Sequence, residues 1–347
     1  MADLKQIDKI LGQAVGPKGV PGVVGAAATD KGVVYEGAFG QREIGKPAAM
    51  TTDTVVWIAS MTKAITATAA MQLVERGKLS LDHPAAEVVP QLNDARVLEG
   101  FDAAGKPRLR APKRPITLRH LLTHTAGYAY EIWRTEIAQY QQVTGTPGIT
   151  SCTNAALTTQ LLFDPGDKWE YGINIDWAGK MVEATSGQKL DRYFQDNIFG
   201  PLGMKDTSFK ISPSQAARLA SVHQRGADGT LAPIEFGLPQ EPEFLMGGGG
   251  LYGTAGDYLT FCQMIMRDGT FKGSQVLQKS TVATMAQNHI GPIEVGVLKT
   301  AIPPLSNDVE LFPGMSKKWG LSFLINTQPA ATGRSAGSLA WAGLANT

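Results

Sequence analysis

Ser60 and Lys63 stand three positions apart in ASMTK, at the start of a stretch that reads as helix. In that arrangement a lysine amine can take the proton of a serine hydroxyl and turn the serine into a nucleophile. The spacing alone is weak. A chain of this length holds about one Ser-x-x-Lys by chance, and a second, Ser186–Lys189 in SGQK, does occur. The surroundings separate the two. Residues i and i+3 of a helix share a face, so Lys63 can point at Ser60. Gly187 follows Ser186 at once and marks a break between two helices, so the second pair shares no face. The positive end of the helix favours alkoxide character at Ser60. Burial and a nearby cation are both expected to lower the proton affinity of Lys63 and make it a base near neutral pH. The bland reading is an N-cap serine beside a solvated first-turn lysine. A lysine there opposes the helix dipole, and the rest of the helix is apolar, which favours a functional amine.

Three other patterns promise chemistry and lack the context for it. Gly333-Arg334-Ser335-Ala336-Gly337 matches G-x-S-x-G, but all five histidines precede Ser335. A nucleophile elbow needs Asp and then His after the serine; a Gly/Ser-rich turn between strands is the better reading. Gly248-Gly249-Gly250-Leu251-Tyr252-Gly253 matches G-x-G-x-x-G, but the Pro-containing GLPQEPEFLMG before it is not a central strand. These glycines fit close backbone packing or a wall beside a site. His120 and His124 could share a helical face, but Leu121 stands where a zincin needs Glu and no third ligand is evident. No metal and no cofactor are therefore expected.

The elements that must position Ser60 follow from patterning. Leu4, Ile7, Leu11 and Val15 predict an amphipathic first helix. GVVGAAATDKGVVYEGAFG predicts a β-hairpin turning at Asp30-Lys31-Gly32. VVWIA, residues 55–59, reads as a brief buried strand. It hands over to a helix from about Met61 to Arg76 that is apolar nearly all round, with Gly77 as its C-cap. DWAGKMVEATSG and LDRYFQDNIFG read as helices, and Thr254 to Asp257 reads as a capping box opening a helix through Arg267. AGKPRLRAPKR, residues 104–114, is expected to be a solvated basic loop. KWGLSFLIN and SLAWAG return to strand character. The fold class is α/β in the α+β sense: an antiparallel sheet flanked by helices, built from both chain ends, with a mainly helical inserted lobe. The expected division is 1–56 with 290–347 as the α/β domain and 57–289 as the helical domain, with the active site between them.

Bulk properties exclude several classes. A chain of 347 residues with 43% hydrophobic content can bury a large core, and a net charge of +1 gives no footprint for nucleic acid. Two cysteines, Cys152 and Cys262, form no disulfide framework, and MADLKQIDKILGQAVG has no secretory pattern, so a cytoplasmic location is expected. No apolar run is long enough to span a membrane. Nothing in the sequence fixes an oligomeric state.

The chain resembles the serine β-lactamase and penicillin-binding-protein superfamily, in its class C-like branch, and most of all the family VIII carboxylesterases. The resemblance runs through PGVVGAAATDKGVVYEGAFG, WIASMTKAITATAAMQLVERGKLSLD, ITLRHLLTHTAG, FGPLGMKDTSF and GGGGLYGTAGDYLTF, nearly the whole chain. It implies Ser60 as nucleophile, Lys63 as its amine partner, and Tyr171 of PGDKWEYGINIDWAG as the second proton carrier. It implies Trp341-Ala342-Gly343 as the third motif, with Trp341 lining the pocket and an oxyanion hole from the N–H groups of Ser60 and Leu344. Two departures from a β-lactamase stand out. Trp341 replaces the lysine that would pair with a β-lactam carboxylate, and Ile173 replaces the asparagine of Y-x-N, with Asn174 one position late. A neutral ester loses little from either change.

The expectation is a serine carboxylesterase acting on short- to medium-chain carboxylic esters, with weak β-lactam turnover compatible as a side activity. Tyr130, Trp133 and Tyr140 are candidate walls of the acyl pocket or packing residues, with Ile173 and Gly343 completing the pocket. The alternatives are a β-lactamase or D-peptidase, an acyltransferase, and a non-catalytic ligand-binding module. The chain stops four residues after Gly343, where the superfamily continues with a further strand and helix; if those are missing, one sheet face is expected to lie uncovered.

Overall fold

A computed structural model describes residues 4–347. The first helix, α1 (Leu4–Ala14), packs on an antiparallel hairpin of β1 (Gly22–Thr29) and β2 (Gly32–Gly40). Thr29 pairs with Gly32, leaving Asp30-Lys31 as a two-residue loop. The brief strand β3 (Val56–Trp57) leads through a tight 3-10 turn, Ala59–Met61, into α2 (Thr62–Glu75). Every residue of α2 from Thr62 to Leu73 is buried, so the pattern without a polar face does mark a central helix. Gly77 ends it at φ +67, a backbone that costs a side chain strain.

Around α2 lie the short helix α3 (Leu118–Leu122), α4 (Asn174–Ser186) and α5 (Ala255–Met266). α4 packs directly on α2 and α3, and α5 packs on β1. Thr254 caps α5 by accepting the Asp257 N–H, but the return half of the expected box is absent. The Asp257 carboxylate instead takes the Asp206 N–H and the Thr207 hydroxyl. The basic stretch 104–114 is not a free loop. Pro107–Arg110 pairs with Val97–Phe101, and Arg110 forks onto buried Asp164 at 2.8 and 2.9 Å. The fixed planar guanidinium matches a carboxylate, which anchors this hairpin to the lobe.

A short strand β4 (Tyr252–Gly253) pairs antiparallel with β3, which ties the glycine run to the residues before Ser60. Near the end of the chain β5 (Lys317–Trp319), β6 (Leu324–Asn326) and β7 (Leu339–Ala340) form a three-stranded antiparallel sheet. The fold is the expected α/β type, with one difference. Among the described residues no hydrogen-bonded ladder joins the β1–β2 hairpin to the β5–β7 sheet. β7 pairs over only two residues, and the chain after Trp341 turns back toward Ile58 rather than extending. No helix among the described residues is long and apolar enough to cross a membrane.

Candidate active site

Ser60 sits on the 3-10 turn between β3 and α2. The turn is sharp because Ala59, its first residue and immediately before Ser60, holds φ +45, a left-handed backbone that non-glycine residues seldom adopt. The hydroxyl of half-buried Ser60 accepts from the Lys63 amine, with Oγ and Nζ 3.0 Å apart. The amine is fully enclosed. It also donates to the Gly248 carbonyl at 2.5 Å and to the Tyr130 hydroxyl at 3.2 Å, and it lies 4.7 Å from the centre of the Tyr171 ring. Burial pushes Lys63 down to about 7, while the Asp176 carboxylate pulls it back up. The charged neighbour is therefore an anion, not the cation expected from sequence.

Tyr171 faces the pair from the segment before α4. Its hydroxyl accepts from the Trp341 indole N–H at 3.0 Å and lies near enough to Ser60 for that side chain to favour its ionised form. Burial holds the phenol above its ordinary value, and Ser60 and Trp341 draw it back in part. Behind the Tyr171 ring lie His124 at 4.9 Å and Trp341 at 4.8 Å, with Trp319 packed on both. His124 is kept neutral by burial first and by Lys63 second. Its Nδ1 meets the Asn174 amide at 2.9 Å, so Asn174 does point away from Ser60.

The geometry brings Ser60, Lys63, Tyr171 and Trp341 together. Gly343 lies against the Ile58 carbonyl and Ala59, so close that a Cβ there would sit 2.6 Å from that oxygen. Leu344 is half-buried in the same turn, and among the described residues its N–H has no backbone acceptor. Tyr130 is more than a pocket wall, since its hydroxyl touches the amine itself. Trp133 and Ile173 are buried, but no hydrogen bond or ring contact joins either to Ser60, Lys63 or Tyr171. Tyr140 turns to Gln160. Ser335 lies in a turn, as its Gly/Ser-rich setting implies, and its carbonyl accepts from the Asn326 side chain. His120 caps its own helix with Thr117. Sequence reasoning missed Asp176 and the Gly248 carbonyl. A carboxylate on an otherwise buried helix face, INIDWAG, was the available signal for the first; a backbone carbonyl leaves none.

Similarity to known proteins shows the family. Residues 7–347 match the family described as Beta-lactamase. Monacolin J acid methylbutanoyltransferase of Aspergillus terreus is 37% identical over 298 residues, covering 81% of this chain and 70% of that protein. Lovastatin esterase of Penicillium rubens is 34% identical over 268 residues, covering 75% of this chain and 66% of that protein. The unliganded structure of simvastatin synthase (LovD) from Aspergillus terreus superposes with a TM-score of 0.83 at 31% identity, over 99% of this chain and 88% of that one.

Proposed function

Because this chain belongs to the β-lactamase family, as an enzyme of its serine hydrolase and acyltransferase branch, we propose that it cleaves short- to medium-chain carboxylic esters through an acyl-enzyme on Ser60 and passes the acyl group to an alcohol or to water. The observation that carries this reading is the single contact set Ser60–Lys63–Tyr171, closed by the Trp341 hydrogen bond. The neutral amine takes the Ser60 proton as Oγ attacks the ester carbonyl. The N–H groups of Ser60 and Leu344 hold the oxyanion. The leaving alkoxide receives a proton from Tyr171 or from the lysine ammonium. An incoming alcohol or water then gives up a proton along the same path, takes the acyl group and restores Ser60.

Names of relatives on both sides, a methylbutanoyltransferase and an esterase, support transfer and hydrolysis as outcomes of one intermediate. The aromatic enclosure of Tyr130, Tyr171, Trp169 and Trp341 favours an organic acceptor over water. A tryptophan where a β-lactamase places lysine argues for neutral esters over β-lactams, as in the family VIII carboxylesterases. The test is turnover of p-nitrophenyl butyrate with and without a hydrophobic primary alcohol, with products separated. Butyrate ester in excess of the alcohol-to-water ratio is expected. Free acid alone would leave only hydrolysis, and nitrocefin turnover rivalling the ester would overturn the substrate assignment.

A further inference from the structure

Asp176 lies in the first turn of α4 with 1% of its surface exposed. One carboxylate oxygen accepts the Gly248 N–H at 2.8 Å; the other has no hydrogen-bond partner and is buried. Burying a carboxylate with half its hydrogen-bonding capacity unused costs stability unless a charge compensates. Gly248 supplies the connection to one. Its N–H binds Asp176 and its C=O receives Lys63 at 2.5 Å. A side chain on Gly248 would place Cβ 2.5 Å from the second Asp176 oxygen, so only glycine lets the helix carboxylate and this backbone meet.

We propose that Asp176 is a positioning residue for acyl transfer: through Gly248 it aims the carbonyl that seats Lys63, and its buried charge sets how strongly that amine holds a proton. The inference rests on the Ser60–Lys63 reading above. With no anion nearby, full burial would leave the amine a weak base, neutral but reluctant to accept the serine proton. A carboxylate beyond direct contact restores part of that basicity without locking the amine in a salt bridge. The other groups facing the pair are Tyr130, Tyr171, Cys152 and His124. Burial holds the two phenols and the thiol high and keeps His124 neutral. Between about pH 5 and 9 none of these four changes charge, and Glu170, which burial raises to about 7, makes no hydrogen bond or ion pair with either member of the pair.

The experiment follows the Lys63 Cε signal by NMR titration of lysine-labelled protein, with the signal assigned by its loss in Lys63→Met. The wild type is compared with Asp176→Asn, which keeps an acceptor for Gly248 but removes the charge, and with Glu170→Gln as control. The Lys63 midpoint is expected to fall by about 1–3 pH units in Asp176→Asn and to stay put in Glu170→Gln. In p-nitrophenyl butyrate turnover the acidic limb of kcat/KM should move down in pH while the plateau drops. Uniform loss at every pH with an unmoved midpoint would reduce Asp176 to a structural residue and overturn the proposal. If Asp176→Asn does not fold, the wild-type titration decides. A two-step curve supports coupling, since neighbouring groups titrate as a pair, and a single step overturns it. Because the midpoint is read without turnover, failure of the acyl-transfer reading is distinguishable from failure of this one.

Discussion

Trp341→Phe removes one hydrogen bond from the site and keeps an aromatic ring in place. The indole N–H donates to the Tyr171 hydroxyl at 3.0 Å, and the ring packs 4.8 Å from Tyr171 and 4.7 Å from Trp319. A neutral hydrogen bond of this kind contributes about 0.5–1.5 kcal/mol. At about 1.4 kcal/mol per tenfold in rate, its loss should lower kcat/KM on p-nitrophenyl butyrate roughly 2- to 13-fold. The loss should fall mainly in kcat, because the bond orients a proton carrier. The Tyr171 phenol, already raised by burial and drawn back in part by this donor, should move further up. Any alkaline limb set by Tyr171 then shifts to higher pH. A double-mutant cycle isolates the path: in a Tyr171→Phe background the same substitution should be nearly silent. An unchanged kcat/KM, or an equal loss with Tyr171 already gone, would refute the role assigned to the contact.

Lys63→Met should cost about 10²- to 10⁴-fold in kcat without loss of the fold, measured by ester turnover and thermal melting. Lys63 is depressed from 10.5 to about 7 in the folded protein, so between those values the unfolded chain binds the extra proton. Stability contributed at this position therefore rises with pH across that window, and the methionine variant should lack that rise in urea titrations at pH 7 and 10. Glu170 carries the opposite sign. Burial lifts it from 4.5 to about 7, so its contribution is present below about 4.5 and is lost as pH rises through 7. Glu170→Gln should gain on the wild type in melting temperature between pH 5 and 8. Gly172→Ala would press a Cβ into the Tyr128 carbonyl and the Ala129 backbone beside Tyr171. It should cost about 1–3 kcal/mol, read by denaturant unfolding, with kcat falling as Tyr171 shifts.

Local patterning made much of the fold legible. The α2 helix without a polar face, the hairpin flanking Asp30-Lys31 and the strand before Ser60 each follow from a period and a punctuating residue. The sheet divisions did not, because pairing between strands of two or three residues depends on where distant segments settle. At the site, Ser60, Lys63, Tyr171 and Trp341 were legible through motif and resemblance, and the structure gathers them. The sign of the charge beside Lys63 was not legible, because the hydrogen-bonded link from Asp176 to it runs through the backbone of Gly248, far away in sequence. Tyr130 carried a signal for aromatic packing but none for its contact with the amine.

The central claim is that Ser60 becomes the acyl carrier. Labelling the protein with a fluorophosphonate and mapping the modified peptide tests it most directly. The account predicts one adduct, on Ser60, lost in Ser60→Ala and retained in Ser335→Ala. An adduct on Ser335, or none on folded protein, would contradict it.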